Sequence, residues 1–290
     1  MMKMVWVLAL TLPMAAVAGD DIEERRDMAA DGTVSVTNIA GEIEVATWDR
    51  NELHLTGDLG DGSELRVDAS GGDVRIEVKP RSKGRHGNVD DSDLYLMVPQ
   101  GASLSLHGVS ADITVTGSKG ARLDIETVSG DLEVVAETQS LDLSSVSGDV
   151  NFTGASVRTS AETVSGDIEL DGVSGALDVK VVSGDAHVRG GSFSRGQFES
   201  VSGNLELSLA VERGGRVTLE TMSGDAYLYL PREQGAEIRA QSFSGDIRSD
   251  FGEPERPGHG PGTRLQHVAG EGGATIRVES FSGDVEIIRR

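Results

Sequence analysis

No cysteine occurs in the 290 residues. That excludes a disulfide framework, a thiolate metal site and a cysteine-borne lipid anchor. Aromatic residues make up only 4% of the chain, so a core must be built from Val, Leu and Ile. After the first residues, no stretch approaches the ~18 uninterrupted apolar residues that a membrane helix needs. Nor does any window there carry the i, i+3, i+4, i+7 stripe of an amphipathic helix. Basic residues are scarce, 26 against 48 acids, for a formal charge of −22. Such a field repels nucleic acid and anionic lipid, favours cations or basic partners, and keeps an exported protein in solution.

The chain opens with Lys3, the short apolar run "VWVLALTLPMAAVA" and the small-x-small site Ala16-Val17-Ala18. This is the pattern of a cleavable secretory signal peptide over residues 1–18. It predicts a mature chain beginning at Gly19, soluble in the periplasm or secreted, with no membrane insertion.

What the chain has in abundance is one motif. "ETVSGDLEV", "SSVSGDVNF", "ETVSGDIEL" and "VVSGDAHV" follow one another between residues 126 and 188. The position after Ser-Gly is held by Asp131, Asp149, Asp167, Asp185, Asn204, Asp225, Asp246 and Asp284, with Asp112 preceding them in "SAD". Most intervals are 18 to 21 residues, and the last is 38. Apolar residues recur immediately before each Ser, three before that and five before that, as in Leu123, Ile125, Val128 and Leu141, Leu143, Val146. Further alternating pairs follow each Asp, such as Leu132 with Val134 and Val150 with Phe152.

Alternation of β-branched and aliphatic residues marks short half-buried strands. A unit of 18–21 residues is then one turn of an all-β, single-stranded, β-helix-like solenoid, whose apolar columns fill the bore. One turn cannot bury its own apolar face, but neighbours stacked ~4.8 Å away can. The repeated corner predicts bends at Ser129-Gly130-Asp131, Ser147-Gly148-Asp149, Ser165-Gly166-Asp167 and Ser183-Gly184-Asp185. Gly supplies φ > 0 there, and Ser and Asp bond neighbouring backbone groups.

"TVSVTNIAGEIEV" (33–45) and "SELRVDASGGDVRIEV" (63–78) follow the pattern more loosely. Residues 19–32 read as a charged lead-in and 33–290 as one solenoid domain. Its Gly/Pro-rich segment 251–273 reads as a protruding loop. Together, "GEIEVATWDRNELHLTG", "LYLMVPQGASLSL", the VSGD repeats and "ESFSGDVEII" resemble the bacterial "putative adhesin" family of exported β-strand-repeat proteins. That resemblance implies a β-solenoid at the cell envelope; it brings no reaction, catalytic residue or cofactor.

Signs of chemistry are few. His54, His86, His107, His187, His259 and His267 are scattered without ligand spacing. No nucleophile elbow, zinc-protease or phosphate-loop motif occurs. Stacked Asp side chains could recruit Ca²⁺ weakly, although no calcium-repeat motif is present. The simpler reading is turn chemistry, since Asn204 takes the same place without charge. Outward-facing Tyr227 and Tyr229, expected beside Glu206 and Arg248, form a candidate protein or glycan contact. Arg81, Lys83 and Arg85 make a small basic cluster. The expectation is a non-enzymatic envelope scaffold or adhesin-like module without cofactor, binding an envelope protein or glycan. The alternatives are an envelope-stress sensor whose acidic face captures cationic peptides or metal ions, and a polysaccharide-active β-helical enzyme.

Overall fold

The computed structural model describes residues 21–81, 90–256 and 262–290. The signal segment, Lys83, Arg85, His86 and His259 lie outside these residues. Every regular element described is a β-strand, and the strands join into one hydrogen-bonded sheet. Among the described residues no helix is long and apolar enough to cross a membrane.

A typical repeat runs over Leu132–Ser147. Leu132, Val134 and Ala136 point inward. The phase of alternation then shifts at Gln139–Ser140, and Leu141, Leu143 and Ser145 point inward from the returning stretch. The next rung, Val150–Ser165, lies parallel to it, with Val150 on Leu132 and Thr159 on Leu141. This offset of 18 residues is the motif interval. Registered stacking therefore turns a sequence column into a spatial one. Ile125, Leu143, Ala161, Val179, Phe198 and Leu219 form one such column, all buried. Each large aliphatic side chain buried this way contributes roughly 1.5–3 kcal/mol. Phe198 fits because its own rung has Gly196 two residues earlier; a Cβ there would stand 2.8 Å from the ring.

At both ends the stacking departs from chain order. Ala274–Ser282 and Val285–Arg289, the last strands in sequence, form the penultimate rung. They are inserted between Leu205–Ser223 with Ala226–Leu230 on one side and Ala236–Ser244 with Ile247–Ser249 on the other. The other end mirrors this. Thr33–Trp48 lies between Ser103–Ser118 and the pair Asp73–Pro80 and Ser92–Pro99.

Antiparallel strands then close both ends, and two sequence expectations fall with them. The lead-in contains a strand, Asp21–Asp27, paired with Glu52–Asp58. It buries Ile22 and lines the outer edge with Glu23, Glu24, Arg25 and Arg26, charges that discourage further strand pairing. The 251–273 segment likewise contains Thr263–Ala269, antiparallel to Ala236–Ser244, with Thr263, Leu265 and Ala269 buried. The reason is shared: a terminal rung presents a row of unpaired backbone groups, and a covering strand satisfies one side of it. Residues 257–261 of that segment lie outside the described residues.

Candidate functional site: the corner edge

All the VSGD corners lie along one edge, where each bonds to the next. The main-chain N–H of Asp149 donates to Oδ1 of Asp131 at 2.8 Å, that of Asp167 to Asp149 at 2.8 Å, and that of Asp185 to Asp167 at 2.7 Å. The ladder starts at Asp112 and runs through Asn204, Asp225 and Asp284 to Asp246. Asn204 serves as Asp does, its Oδ1 accepting from the Asp225 N–H at 3.0 Å. In the opposite direction, Gly148 N–H donates to Ser165 O and Gly166 N–H to Ser183 O. Each corner is thus tied to both neighbours. The glycine is required twice over: Gly166 has φ +150°, and a Cβ on it would stand 2.2 Å from the Gly148 carbonyl oxygen.

The line of acids extends past the ladder toward the amino-terminal end. Pairing sets Asp112 beside Glu42, Glu42 beside Asp93, Asp93 beside Asp58 and Asp58 beside Asp21. Burial raises the pKa of Glu42 above the ordinary carboxyl value, and Glu44, Asp93 and Asp112 add to the effect. The charge of Glu42, then burial, then Asp93, Glu44 and Asp58 raise the pKa of the Tyr95 phenol. Even so, no group of three or more His, Asp or Glu among the described residues is arranged to hold a metal ion.

Beside the carboxylates runs a feature that periodicity alone assigns to the bore. Val109, Val128, Val146, Val164, Val182, Val201, Met222, Phe281 and Phe243, in stacking order, are all exposed. The cause lies in the backbone. Thr127 pairs with Ser145 and Ser129 with Ser147, while Val128 and Val146 are skipped. Alternation runs unbroken from Leu123 and Leu141, so Thr127 and Ser145 are buried and the valines that follow them turn outward. A signal for this was present. Val128 lies three residues after Ile125, an odd step, so strict alternation from Leu123 and Ile125 puts Thr127 inside and Val128 outside.

The stripe widens into a groove of about 770 Å³ at the carboxyl-terminal rungs, lined by Lys180, Val182, Val201, Met222, Phe243 and Phe281 among others. Phe243 and Phe281 stack with centroids 5.0 Å apart and planes within 5°. Along one flank stand Glu199, Glu220 and Glu279 on successive rungs; along the other, beyond the serines, runs the Asp ladder.

The tyrosine surface needs correction. Tyr227 lies between Glu206 and Glu286, because the inserted carboxyl-terminal rung separates it from Arg248. Arg248 instead pairs with Glu286. Tyr227 is only half exposed, and its hydroxyl bonds Asp225 Oδ2 at 3.3 Å. Burial and then Asp225 raise its pKa. Tyr229 is half-buried between Ser208 and Ile288. Both rings alternate with buried Ala226, Leu228 and Leu230 and stand on the outer face of the strand. Arg81 is exposed at the end of its strand; the rest of its cluster lies outside the described residues.

Two solved structures share this architecture over nearly the whole chain. A "putative lipid binding protein" from Parabacteroides distasonis is 15% identical, with 94% of this chain and 99% of that one covered and a TM-score of 0.52. A "putative adhesin" from the same organism is 13% identical, with 93% and 98% covered and a TM-score of 0.52. At such identities the likeness is one of fold. No curated protein matches. The Toastrack DUF4097 family matches twice, over residues 20–175 and 163–288, which together span the strands described above. The chain is a member of the Toastrack DUF4097 family.

Proposed function

We propose that this protein is a non-enzymatic, adhesin-like interaction module of the cell envelope, and that its binding surface is the apolar stripe on the corner edge. In this reading the stack is a single-stranded β-solenoid of 18–21-residue turns that holds the stripe rigid. The observation that carries it is the unbroken exposure of Val109 through Phe243 on a chain of charge −22. Contiguous exposed apolar surface of this kind marks interaction sites on soluble proteins. Nothing in the rungs requires it, since the inward columns already supply the core. A neighbour of the same fold named as a putative adhesin accords with a binding role. Export through the segment 1–18 would deliver the module to the envelope.

The test is site-specific photocrosslinking from Val182 and Met222 in the exported protein, with Tyr229 as a control outside the stripe. Adducts with one partner from the stripe positions alone support the reading. Equal labelling from all three positions, or none, overturns it.

A further inference from the structure

We infer that the occupant of the groove is a basic amphipathic helix, its apolar face on the stripe and its Lys or Arg side chains against the two acidic rows. This rests on the reading of the stripe as an interaction surface and goes on to name the partner's chemistry. The groove spans the rungs from Val182 to Phe243, four steps of ~4.8 Å or about 19 Å. A helix advances ~5.4 Å per turn, so successive apolar turns meet successive rungs and slip by only about half a rung over this length. Some 13 residues cover it. The unbranched Met222 and the stacked Phe281 and Phe243 give the deep end an adaptable, anchoring floor.

Charge selects among occupants. Glu199 neighbours Glu220, and Glu220 neighbours Glu279, so one flank carries acids on three consecutive rungs, between Lys180 at one end and Gln241 at the other. On the other flank Asp185, Asp225 and Asp284 each accept a backbone hydrogen bond from the next rung, and Asp246 at the end of the ladder pairs with Arg256. A second copy of this chain would set acid rows face to face. An anionic lipid surface would meet the same repulsion. A neutral apolar peptide would partly desolvate the carboxylates and add no cation beyond Arg277 on Glu279 and Arg256 on Asp246. A basic helix answers both requirements: its long cationic side chains lie along the apolar wall and end at the carboxylates.

The probe is a labelled 18-residue helix of Leu and Lys with one apolar face, compared with Leu/Gln and Leu/Glu versions and with anionic vesicles. The Leu/Lys peptide should bind at least ~10-fold tighter than Leu/Gln and weaken as salt rises from about 50 to about 500 mM. The variant Glu199→Gln/Glu220→Gln/Glu279→Gln should lose ~5-fold or more of that affinity while melting as the parent does. Phe281→Ser, at an exposed position, should lose binding of Leu/Lys and Leu/Gln alike. Equal affinity for Leu/Lys and Leu/Gln, or indifference to the triple Gln change, overturns the basic partner; loss on Phe281→Ser would then still leave the stripe a binding surface. Leu/Lys binding untouched by Phe281→Ser overturns both, as attraction to net charge alone. Vesicle binding in place of peptide binding overturns the helix in favour of lipid.

Discussion

The main-chain N–H of Asp185 donates to the Oδ1 of Asp167, 2.7 Å away on the preceding rung. This contact explains why the motif ends in Asp: each side chain caps the backbone of its successor, so the residue must carry a short acceptor. Asn meets the same requirement, as Asn204 demonstrates. Asp167→Asn should therefore leave stability nearly unchanged in thermal or urea melts. Asp167→Ala, which orphans the Asp185 N–H, should cost about 1 kcal/mol. Calorimetric titration with Ca²⁺ separates turn chemistry from metal binding: the parent should show no tight site. Tight binding that vanishes in Asp167→Asn would assign the ladder to calcium instead.

Three glycines separate two effects. Gly71 has φ +66°, and a Cβ on it would meet nothing within 4 Å, so Gly71→Ala tests backbone strain alone. Gly245 lies outside the left-handed region, but a Cβ there would stand 2.2 Å from the Gly283 oxygen, which tests stacking alone. Gly166 combines φ +150° with a 2.2 Å contact. Gly71→Ala should cost about 1–2 kcal/mol, and Gly166→Ala distinctly more, since the rung spacing must also give. Denaturant melts of the three variants give the order, with Gly245→Ala showing whether close approach alone is enough to part the rungs.

Much of this is legible in the sequence because registered parallel stacking makes sequence period and spatial repeat the same thing. Leu123, Leu141 and Leu177 are recognisable as a column from their spacing alone. What fails does so for identifiable reasons. Val128 and Val146 are apolar and periodic, and periodicity alone does not say which way a residue faces; only the odd step from Ile125 does. Tyr227 and Arg248 come side by side only if spatial order follows chain order. The insertion of Ala274–Ser282 between earlier rungs is a long-range pairing choice with no local signal. Thr263–Ala269 is hidden by the Gly and Pro residues around it, though Thr263, Leu265 and Ala269 are the side chains that close the core.

The acids at the amino-terminal end give a pH test. Glu42 has a pKa raised by burial and by Glu44, Asp93 and Asp112, so the fold binds its proton more tightly than the unfolded chain does. Protonation of this group favours folding, and that contribution is lost as pH rises from the ordinary carboxyl range through the raised value. Glu42→Gln should raise the melting temperature at pH 7, and the gain should fade as the pH falls to about 4, where the parent carboxyl is itself protonated. Added salt should shrink the same difference by screening the neighbouring charges. A gain independent of pH would point to packing instead.

The inserted carboxyl-terminal rung makes the last prediction. Ending the chain after Gly273 removes Ile276, Val278, Val285 and Ile287 from the core. It also leaves Ala226–Leu230 and Ile247–Ser249 facing each other across an empty rung, since both pair with Val285–Arg289. Asp225 and Asp246, each bonded through Asp284, would then stand two rungs apart, ~9–10 Å, beyond any hydrogen bond. Loss of four buried aliphatic side chains at roughly 1.5–3 kcal/mol each exceeds what the end of a stack can absorb. The truncated chain should lose protection from hydrogen exchange over Leu205–Ser249 while the rungs before Asp185 keep theirs, because each rung depends on its neighbours. A synthetic peptide of residues 274–290 added in trans should restore that protection, as the slot it fills is flanked by parallel strands already in register. A truncated chain with the parent's melting temperature and exchange pattern would show that the rungs from Leu205 onward stand without their insert.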